Sequence, residues 1–464
     1  MPVNSFENYP MSWRPQKDHL TKPYYKALAN LLEQDILSGK LKENTKLPPQ
    51  RELADFLDLN LSTITRAYKL CELKGLLYAV TGRGTFIAAG IDAQNTFVDQ
   101  ASSTIEMGMI KPFYACNASI LSASQVVLQE TSSDKLLEYS APFGTKEQIK
   151  TAESWLRSFG LNVTTEQIFL TAGAQNALSV ILIALFHAGD KIAVDHFTYT
   201  NFKGLANFLH IQLISIDTDR DGMMPEALMR ACKNTVIKGV YLMPTCSNPT
   251  SVYMPLQRRQ KIACLAEQFH LLIIEDDIYS FLDPYHTASF FSILPKQTIH
   301  ICSLSKSLCA GLRVAFLVFP LAYREILATG ILDINLKTVS LNAEIARVLI
   351  DSGEAKKIAQ KKIALSKSRN KIFYTIFPGE ITDAIPRFYH WMLLPDKLTS
   401  EEAELRAVSK GIHILGSHRF SVADTQGRAY LRIATASPDT ENDLIKGLML
   451  LKSILEENKV DFLV

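Results

Sequence analysis

Lys306 stands in Ser303-Leu304-Ser305-Lys306-Ser307-Leu308-Cys309-Ala310-Gly311-Leu312-Arg313, a stretch of small and hydroxylic residues that ends in a second cation. The run Thr298-Ile299-His300-Ile301-Cys302 leads straight into it and reads as a strand. Lys306 then falls just past the carboxyl end of a sheet strand, where open α/β sheets bind ligands. A lysine so placed can form a Schiff base with an aldehyde cofactor. The neighbouring hydroxyls and Arg313 can hold a phosphate, because a guanidinium suits bidentate phosphate contacts. A surface lysine after a buried strand fits this segment equally well, and other loops must separate the two readings.

Three such loops carry chemistry of their own. Thr171-Ala172-Gly173-Ala174-Gln175 follows a strand and opens a helix. Small residues there let backbone amides approach an anion, which the helix N-terminus favours. By itself the glycine is also what an ordinary turn needs. Asn248-Pro249 ends a second strand loop and alone reads as a turn. Glu275-Asp276-Asp277-Ile278-Tyr279 ends a third. A buried carboxylate without a cation is costly, so an acidic strand end serves a partner, and a pyridinium nitrogen is one such partner. Helix capping by Asp276 or Asp277 is the plainer alternative.

The elements that must position these residues form an α/β pattern from Pro112 onward. Strands are expected at 167–170, 191–194, 211–216, 237–243 and 271–274, with helices at 175–187, 202–209, 225–232 and 256–269. Short apolar strands alternating with helices predict a mostly parallel sheet covered on both faces. The 464 residues suffice for more than one domain, and the net charge of +2 gives no overall pull toward nucleic acid, so any basic patch must be local. Seven dispersed cysteines fit a reducing compartment better than a disulfide framework, and none has metal-ligand spacing. The longest apolar run, 178–186, is too short for a bilayer, and the first residues lack a signal-peptide core. The expectation is a cytoplasmic protein with no membrane contact.

The first ninety residues have a different pattern. Tyr25, Leu28, Leu32 and Ile36 recur at helical spacing after Pro23. Pro48-Pro49 precede a second helix, with Leu53, Phe56 and Leu57 on one face. After a short break, Ser62 is the expected N-cap of a third helix whose apolar stripe is Ile64, Ala67, Tyr68 and Cys71. Thr63, Thr65, Arg66 and Lys69 face outward, and 76–87 alternates around a turn at Gly82-Arg83-Gly84. Three helices and a hairpin outline a winged helix-turn-helix. Exposed hydroxyls and cations on its third helix suit base edges and phosphates. Between 61 and 83, Arg66, Lys69, Lys74 and Arg83 stand against the single acid Glu72, a locally basic surface of the DNA-binding kind. A small helical domain with a solvated face has the same outline.

Four linked motifs in order decide between them: 47–54 (LPPQRELA), 62–68 (STITRAY), 74–77 (KGLL) and 82–86 (GRGTF). Together they resemble the DNA-binding domain of GntR-type bacterial regulators. The resemblance implies that Arg51, Ser62, Thr63, Thr65, Arg66 and Lys69 face DNA, with Arg83 at the wing tip. A linker is expected at 89–111, giving domains at 20–88 and 112–464.

The remainder resembles the fold-type I aminotransferases, which use pyridoxal phosphate. The matching order is Gly173-Ala174-Gln175, Tyr199, Asn248-Pro249, Asp276-x-x-Tyr279, Ser303-x-Ser305-Lys306, Arg313, and Arg432 in Tyr430-Leu431-Arg432-Ile433-Ala434. The resemblance implies that Lys306 carries the cofactor's internal aldimine and Asp276 keeps the pyridine nitrogen protonated. Asn248 and Tyr279 would bond the phenolic oxygen. Gly173, Ala174, Gln175, Ser303, Ser305 and Arg313 would hold the phosphate, and Arg432 would receive a ligand carboxylate. Tyr199 would stack on the ring. Relatives often have Pro-Gly-Tyr there, whereas this chain has Phe197-Thr198-Tyr199, so His196 and Phe197 are alternatives.

A GntR-like reader joined to an aminotransferase-like domain is the layout of the MocR subfamily. That resemblance implies a homodimer with DNA-binding domains exchanged between chains, an operator of double-stranded DNA, and an amino acid or amine effector. An active aminotransferase that carries a DNA-binding module is the competing expectation.

Overall fold

The structure is a computed structural model that describes residues 11–460 apart from 18–19, 38, 43–44, 74–75, 81–83, 88–103, 131–132, 140, 379–384, 397 and 424–427. Two compact units form, Met1–Asp99 and Gln100–Val464. In the first, α1 (Tyr24–Leu37), α2 (Gln50–Leu57) and α3 (Leu61–Leu73) precede an antiparallel hairpin of β1 (Leu77–Val80) and β2 (Gly84–Ile87). Leu28, Leu32 and Ile36 of α1, Leu53 and Leu57 of α2, and the expected stripe of α3 are all buried in one core. The hydroxyl of Tyr68 donates to the carbonyl of Pro48 at 2.9 Å and ties α3 to the start of α2. Helix α3 begins at Leu61, and the Asn60 carbonyl accepts from the Thr63 amide at 2.8 Å. Ser62 therefore lies inside the first turn rather than at the expected N-cap, because Asn60 already closes that turn.

The second unit is built on a seven-stranded sheet. In chain order it runs β3 (Ile105–Glu106), α4 (Ala118–Gln129), α5 (Lys146–Arg157), β4 (Ile168–Thr171), α6 (Ala174–Leu185), β5 (Lys191–Asp195), α7 (Thr200–Phe208) and β6 (Gln212–Ile216). A small hairpin of β7 (Thr218–Asp219) and β8 (Gly222–Met223) follows, then α8 (Pro225–Asn234), β9 (Gly239–Leu242), α9 (Leu256–Gln268), β10 (Leu272–Asp276), α10 (Phe290–Ile293), β11 (Thr298–Ser303), α11 (Leu304–Ser307) and β12 (Ala315–Val318). The sheet order is β4-β12-β11-β10-β9-β5-β6. Only β12 runs against its neighbours, so the sheet is mostly parallel as expected. Strands β4, β9, β10, β11 and β12 are buried at every residue, which is why they read as continuous apolar runs.

Helices α12 (Arg324–Asn335), α13 (Ser340–Asp351) and α14 (Glu354–Ile376) lead to a C-terminal layer of β13 (His390–Leu393), α15 (Ser400–Ser409), β14 (Ile412–His413), β15 (Leu415–Gly416), β16 (Tyr430–Ile433) and α16 (Glu441–Val460). Strand β3 pairs with β14 in parallel, so residues 105–106, expected in the linker, belong to this layer. No helix among the described residues is long and apolar enough to cross a membrane.

A charged layer lies inside the sheet beneath the strand ends. The carboxylate of Glu275, fully buried, accepts from the Phe290 and Phe291 amides at 2.8 and 3.1 Å and meets His300 Nδ1 at 2.8 Å. Burial opposes both charges, but each partner outweighs it, so Glu275 is held below its ordinary value and His300 above. The pair's contribution is full from about pH 4.5 to 6.5, the two ordinary values. It is lost as pH falls through the depressed Glu275 value or rises through the elevated His300 value. Glu275→Gln should destabilise this unit by about 3 kcal/mol, read as a lower urea midpoint at pH 6, with the loss shrinking at pH 4.

Candidate functional site

The hydroxyl of Ser303, at the end of β11, accepts from the Ser305 amide at 3.2 Å and starts the single turn of α11. That turn carries Lys306, whose Nζ donates to the Ile110 carbonyl at 2.6 Å. Below it, Lys362 of α14 is wholly buried and donates to the carbonyls of Lys306 and Leu308 at 3.1 and 2.5 Å. Removal from water, then the positive charges of Arg432, Lys362 and Arg313, bring the Lys306 ammonium down to about 7. Near neutral pH a large share of Lys306 is therefore a free amine, the nucleophilic form.

The loop before α6 meets this turn. Gly173 has φ of 86°, and a Cβ there would stand 2.7 Å from Arg313 Nη2. Arg313 in turn donates from Nη1 to Ser305 Oγ at 3.2 Å. Gly173, Ser305 and Arg313 are thus brought together at the N-terminus of α6, where first-turn amides such as those of Ala174 and Gln175 have no intrahelical acceptor. The left-handed backbone at 173 calls for glycine, and a Cβ there would push the guanidinium aside.

Asp276 ends β10, which pairs in parallel with β11, the strand that leads to Lys306. The Asp276 Oδ2 accepts from Tyr241 at 2.8 Å, and Tyr241 stacks on Phe202 with ring centres 3.7 Å apart. Its Oδ1 is buried without a hydrogen-bond partner among the described residues. Burial pushes the Asp276 carboxyl up to about 7 against the pull of the Tyr241 bond. The neighbouring Asp277 instead accepts from Thr245 Oγ1 at 2.9 Å. The Tyr279 hydroxyl is also buried and unpartnered among the described residues, as are Gln175 Oε1 and Arg432 Nε.

Arg432 of β16 donates to Asn248 Oδ1 at 2.7 Å and to the Gly108 carbonyl at 2.6 Å. Asn248 consequently keeps its amide nitrogen as the end that can donate elsewhere. Tyr199 is close enough to feel Asp276, Arg432 and Arg313, and burial, then the Asp276 charge, push its phenol up to about 12. The other two stacking candidates have different neighbours: His196 Nδ1 meets Ser215 Oγ at 3.0 Å, and Phe197 packs edge-on to Trp391 and Tyr430. Sequence reasoning missed Lys362, Tyr241, Gly108 and Ile110. A lysine spaced for the buried face of a long helix was the available signal for Lys362; the others carry none.

On the winged helix unit, Arg51, Ser62, Thr65, Arg66 and Lys69 are exposed and Thr63 is half-buried. Arg66 lies over the Tyr25 ring at 4.2 Å. The starts of α1 and α3 border an open groove of about 560 Å³ lined by Lys22, Pro23, Tyr24, Tyr25, Ser62, Thr63 and Arg66. Thr65 donates to Gln50 Oε1 at 2.8 Å, and Lys69 is only loosely paired with Glu72 at 3.5 Å. Arg83 lies outside the described residues.

Residues 24–87 match the family of bacterial regulatory proteins, gntR family, and residues 115–445 match aminotransferase class I and II. The HTH-type transcriptional regulator YdeF of Bacillus subtilis is 37% identical over 98% of this chain and 100% of its own length. The chain belongs to the GntR-type transcriptional regulators of MocR architecture. This MocR-type chain is also 26% identical to the HTH-type transcriptional regulator YjiR of Escherichia coli, over 90% of this chain and 96% of that protein. Its second unit shares its fold with a kynurenine aminotransferase of Pyrococcus horikoshii, with a TM-score of 0.71 and 23% identity over 80% of this chain and 95% of the other. LysN, an α-aminoadipate aminotransferase of Thermus thermophilus, gives 0.71 and 21% over 77% and 93%.

The MocR-type site makes a direct prediction about its amine. The pH midpoint for modification of Lys306 by an amine-directed reagent should lie near 7. Arg432→Met and Lys362→Met should each raise it, because each removes a neighbouring positive charge, with the larger shift for Arg432. Peptide mapping of the modified chain reads the midpoint.

Proposed function

We propose that this regulator binds pyridoxal phosphate and reports the presence of an amino acid or amine to its DNA-binding unit through Lys306. When bound, the cofactor supplies an aldehyde that takes up primary amines reversibly and a ring that draws electrons from them. The carrying observation is the convergence of a free-amine lysine with a buried, half-satisfied Asp276 carboxylate. The orphaned Asp276 Oδ1 and Tyr279 hydroxyl fit a protonated ring nitrogen and a phenolic oxygen, two groups of that cofactor. Two aminotransferases of the same fold support this: the Pyrococcus enzyme is in complex with PMP, and the Thermus enzyme with N-(5'-phosphopyridoxyl)-L-leucine.

In this reading Gly173, Ala174, Gln175, Ser303, Ser305 and Arg313 bind the phosphate. Asp276 charges the ring nitrogen, Asn248 and Tyr279 hold the phenolic oxygen, and Tyr199 covers the ring. Lys306 meets the aldehyde, and Lys362 keeps the turn beneath it in place. Arg432 grips the effector's carboxylate. An effector regulates only by favouring one arrangement of the protein over another. The chain acts in the cytoplasm as a homodimer with exchanged DNA-binding units, and Arg51, Ser62, Thr63, Thr65, Arg66, Lys69 and Arg83 face a double-stranded operator with two half-sites. The winged helix domain spans about 20–88, and the large domain includes the segment from 105 onward.

The completeness of the lysine, aspartate and arginine set favours a second reading, an aminotransferase with turnover. The visible absorbance of the loaded protein, followed against D- and L-amino acids and amines, separates them. Conversion to the pyridoxamine form, reversed by a keto acid, would establish turnover. A shift that stops short of it identifies a sensed ligand. Lys306→Ala should lose the response to cofactor and amine while keeping its affinity for an affinity-selected duplex; an unchanged response sinks the proposal. In the same assay Arg66→Ala should reduce the slope of log affinity against log salt by about 1.

A further inference from the structure

Residues 107–110 cross the site as a strap with all its carbonyls taken. The carbonyl of Met107 accepts from the Ala434 amide at 2.7 Å and that of Met109 from Ser437 Oγ at 2.5 Å. Those two are fixed to the framework beyond β16. The alternate two point to cations: Gly108 to Arg432 and Ile110 to Lys306, each at 2.6 Å. The segment bends at Gly108 and Met109, so one short stretch faces both the frame and the ligand groups.

The strap is pinned at its start. The Glu106 carboxylate accepts from the Gly108 and Met109 amides, both at 2.7 Å, and meets His413 Nδ1 at 2.9 Å. Met107 donates its amide to the His413 carbonyl at 2.8 Å. The His413 ring lies so close that a Cβ on residue 108 would stand 2.9 Å from it and force the ring to shift. Burial opposes the charge of Glu106, but the His413 ring and the two amides outweigh it. In sequence the strap directly follows the segment that joins the two units.

We propose that Glu106 and His413 are positioning residues for this strap, whose Gly108 and Ile110 carbonyls compete with ligands for Arg432 and Lys306 and so hand site occupancy to the interdomain segment. The inference rests on the cofactor and effector site proposed above. The two carbonyls respond differently. A cofactor on Lys306 displaces Ile110. An amino acid displaces Gly108 from Arg432 and, by taking the cofactor's aldehyde carbon, returns Lys306 to Ile110. The strap therefore distinguishes cofactor alone from cofactor with ligand.

Hydrogen–deuterium exchange of the full chain tests this on peptides spanning 95–112. Three states are compared: stripped of cofactor, loaded with pyridoxal phosphate, and loaded then treated with aminooxyacetate. The last is a small carboxylate whose oxyamine nitrogen replaces Lys306 at the aldehyde carbon. Its two protons pass to Nζ, and nothing is oxidised or reduced. Exchange should differ about fivefold between states in the wild type. In Glu106→Gln and in the milder His413→Asn it should be fast throughout and insensitive to either probe, with cofactor absorbance retained. Equal exchange in all three wild-type states, with absorbance proving that both probes bound, overturns the inference alone. Variants that keep the wild-type response overturn the role of the pair, and His413→Asn decides this should Glu106→Gln fail to fold. Absence of any cofactor absorbance overturns the underlying site and the inference with it.

Discussion

A half-buried lysine surrounded by Arg432, Lys362 and Arg313 cannot keep its proton as an exposed lysine does. Every element near the site helps to maintain that condition. The end of β11 and the Ser303 cap fix the turn that carries Lys306. The long helix α14 brings the second buried amine beneath it, and Lys362 spends its hydrogen bonds on the backbone of that same turn. Strand β16 contributes Arg432 from the C-terminal layer. The lysine is thus tuned by groups far apart in sequence, and the sheet and its covering layer gather them.

The anionic side is balanced in the same way. Glu275, Asp276 and Asp277 are consecutive and all buried, an arrangement that needs a separate partner for each carboxylate. Glu275 takes His300 and two helix amides, and Asp277 takes Thr245. Asp276 keeps a fully buried oxygen, Oδ1, that lacks a partner among the described residues.

Much of this was legible because the chemistry sits on strand ends, and strand ends are marked by short apolar runs. The expected strands at 191–194, 211–216 and 271–274 correspond to β5, β6 and β10 within a residue or two. Gly173, Asn248, Asp276, Lys306 and Arg432 carry motifs that survive without any knowledge of contacts. The strap does not. Residues 105–111 mix apolar and charged side chains with no periodicity, and their partners lie at 413, 432 and 437, so they read as linker. Ser62 lies two positions past the start that Asn60, equally suited to close a helix, already makes. The stacking residue stayed open in the sequence because three aromatic rings occur within four positions. Their neighbours differ: Phe197 packs on Trp391 and Tyr430, His196 meets Ser215, and Tyr199 lies near Asp276, Arg432 and Arg313.

The account's central claim is that one lysine receives the cofactor's aldehyde. Borohydride treatment of the loaded protein, followed by mass-spectrometric mapping of the modified peptide, measures this directly. The account predicts the label on Lys306 and nowhere else, with Lys362, although buried beside it, untouched. A label on Lys362 or on surface lysines alone, or no stable label on a protein that visibly retains the cofactor, would contradict it.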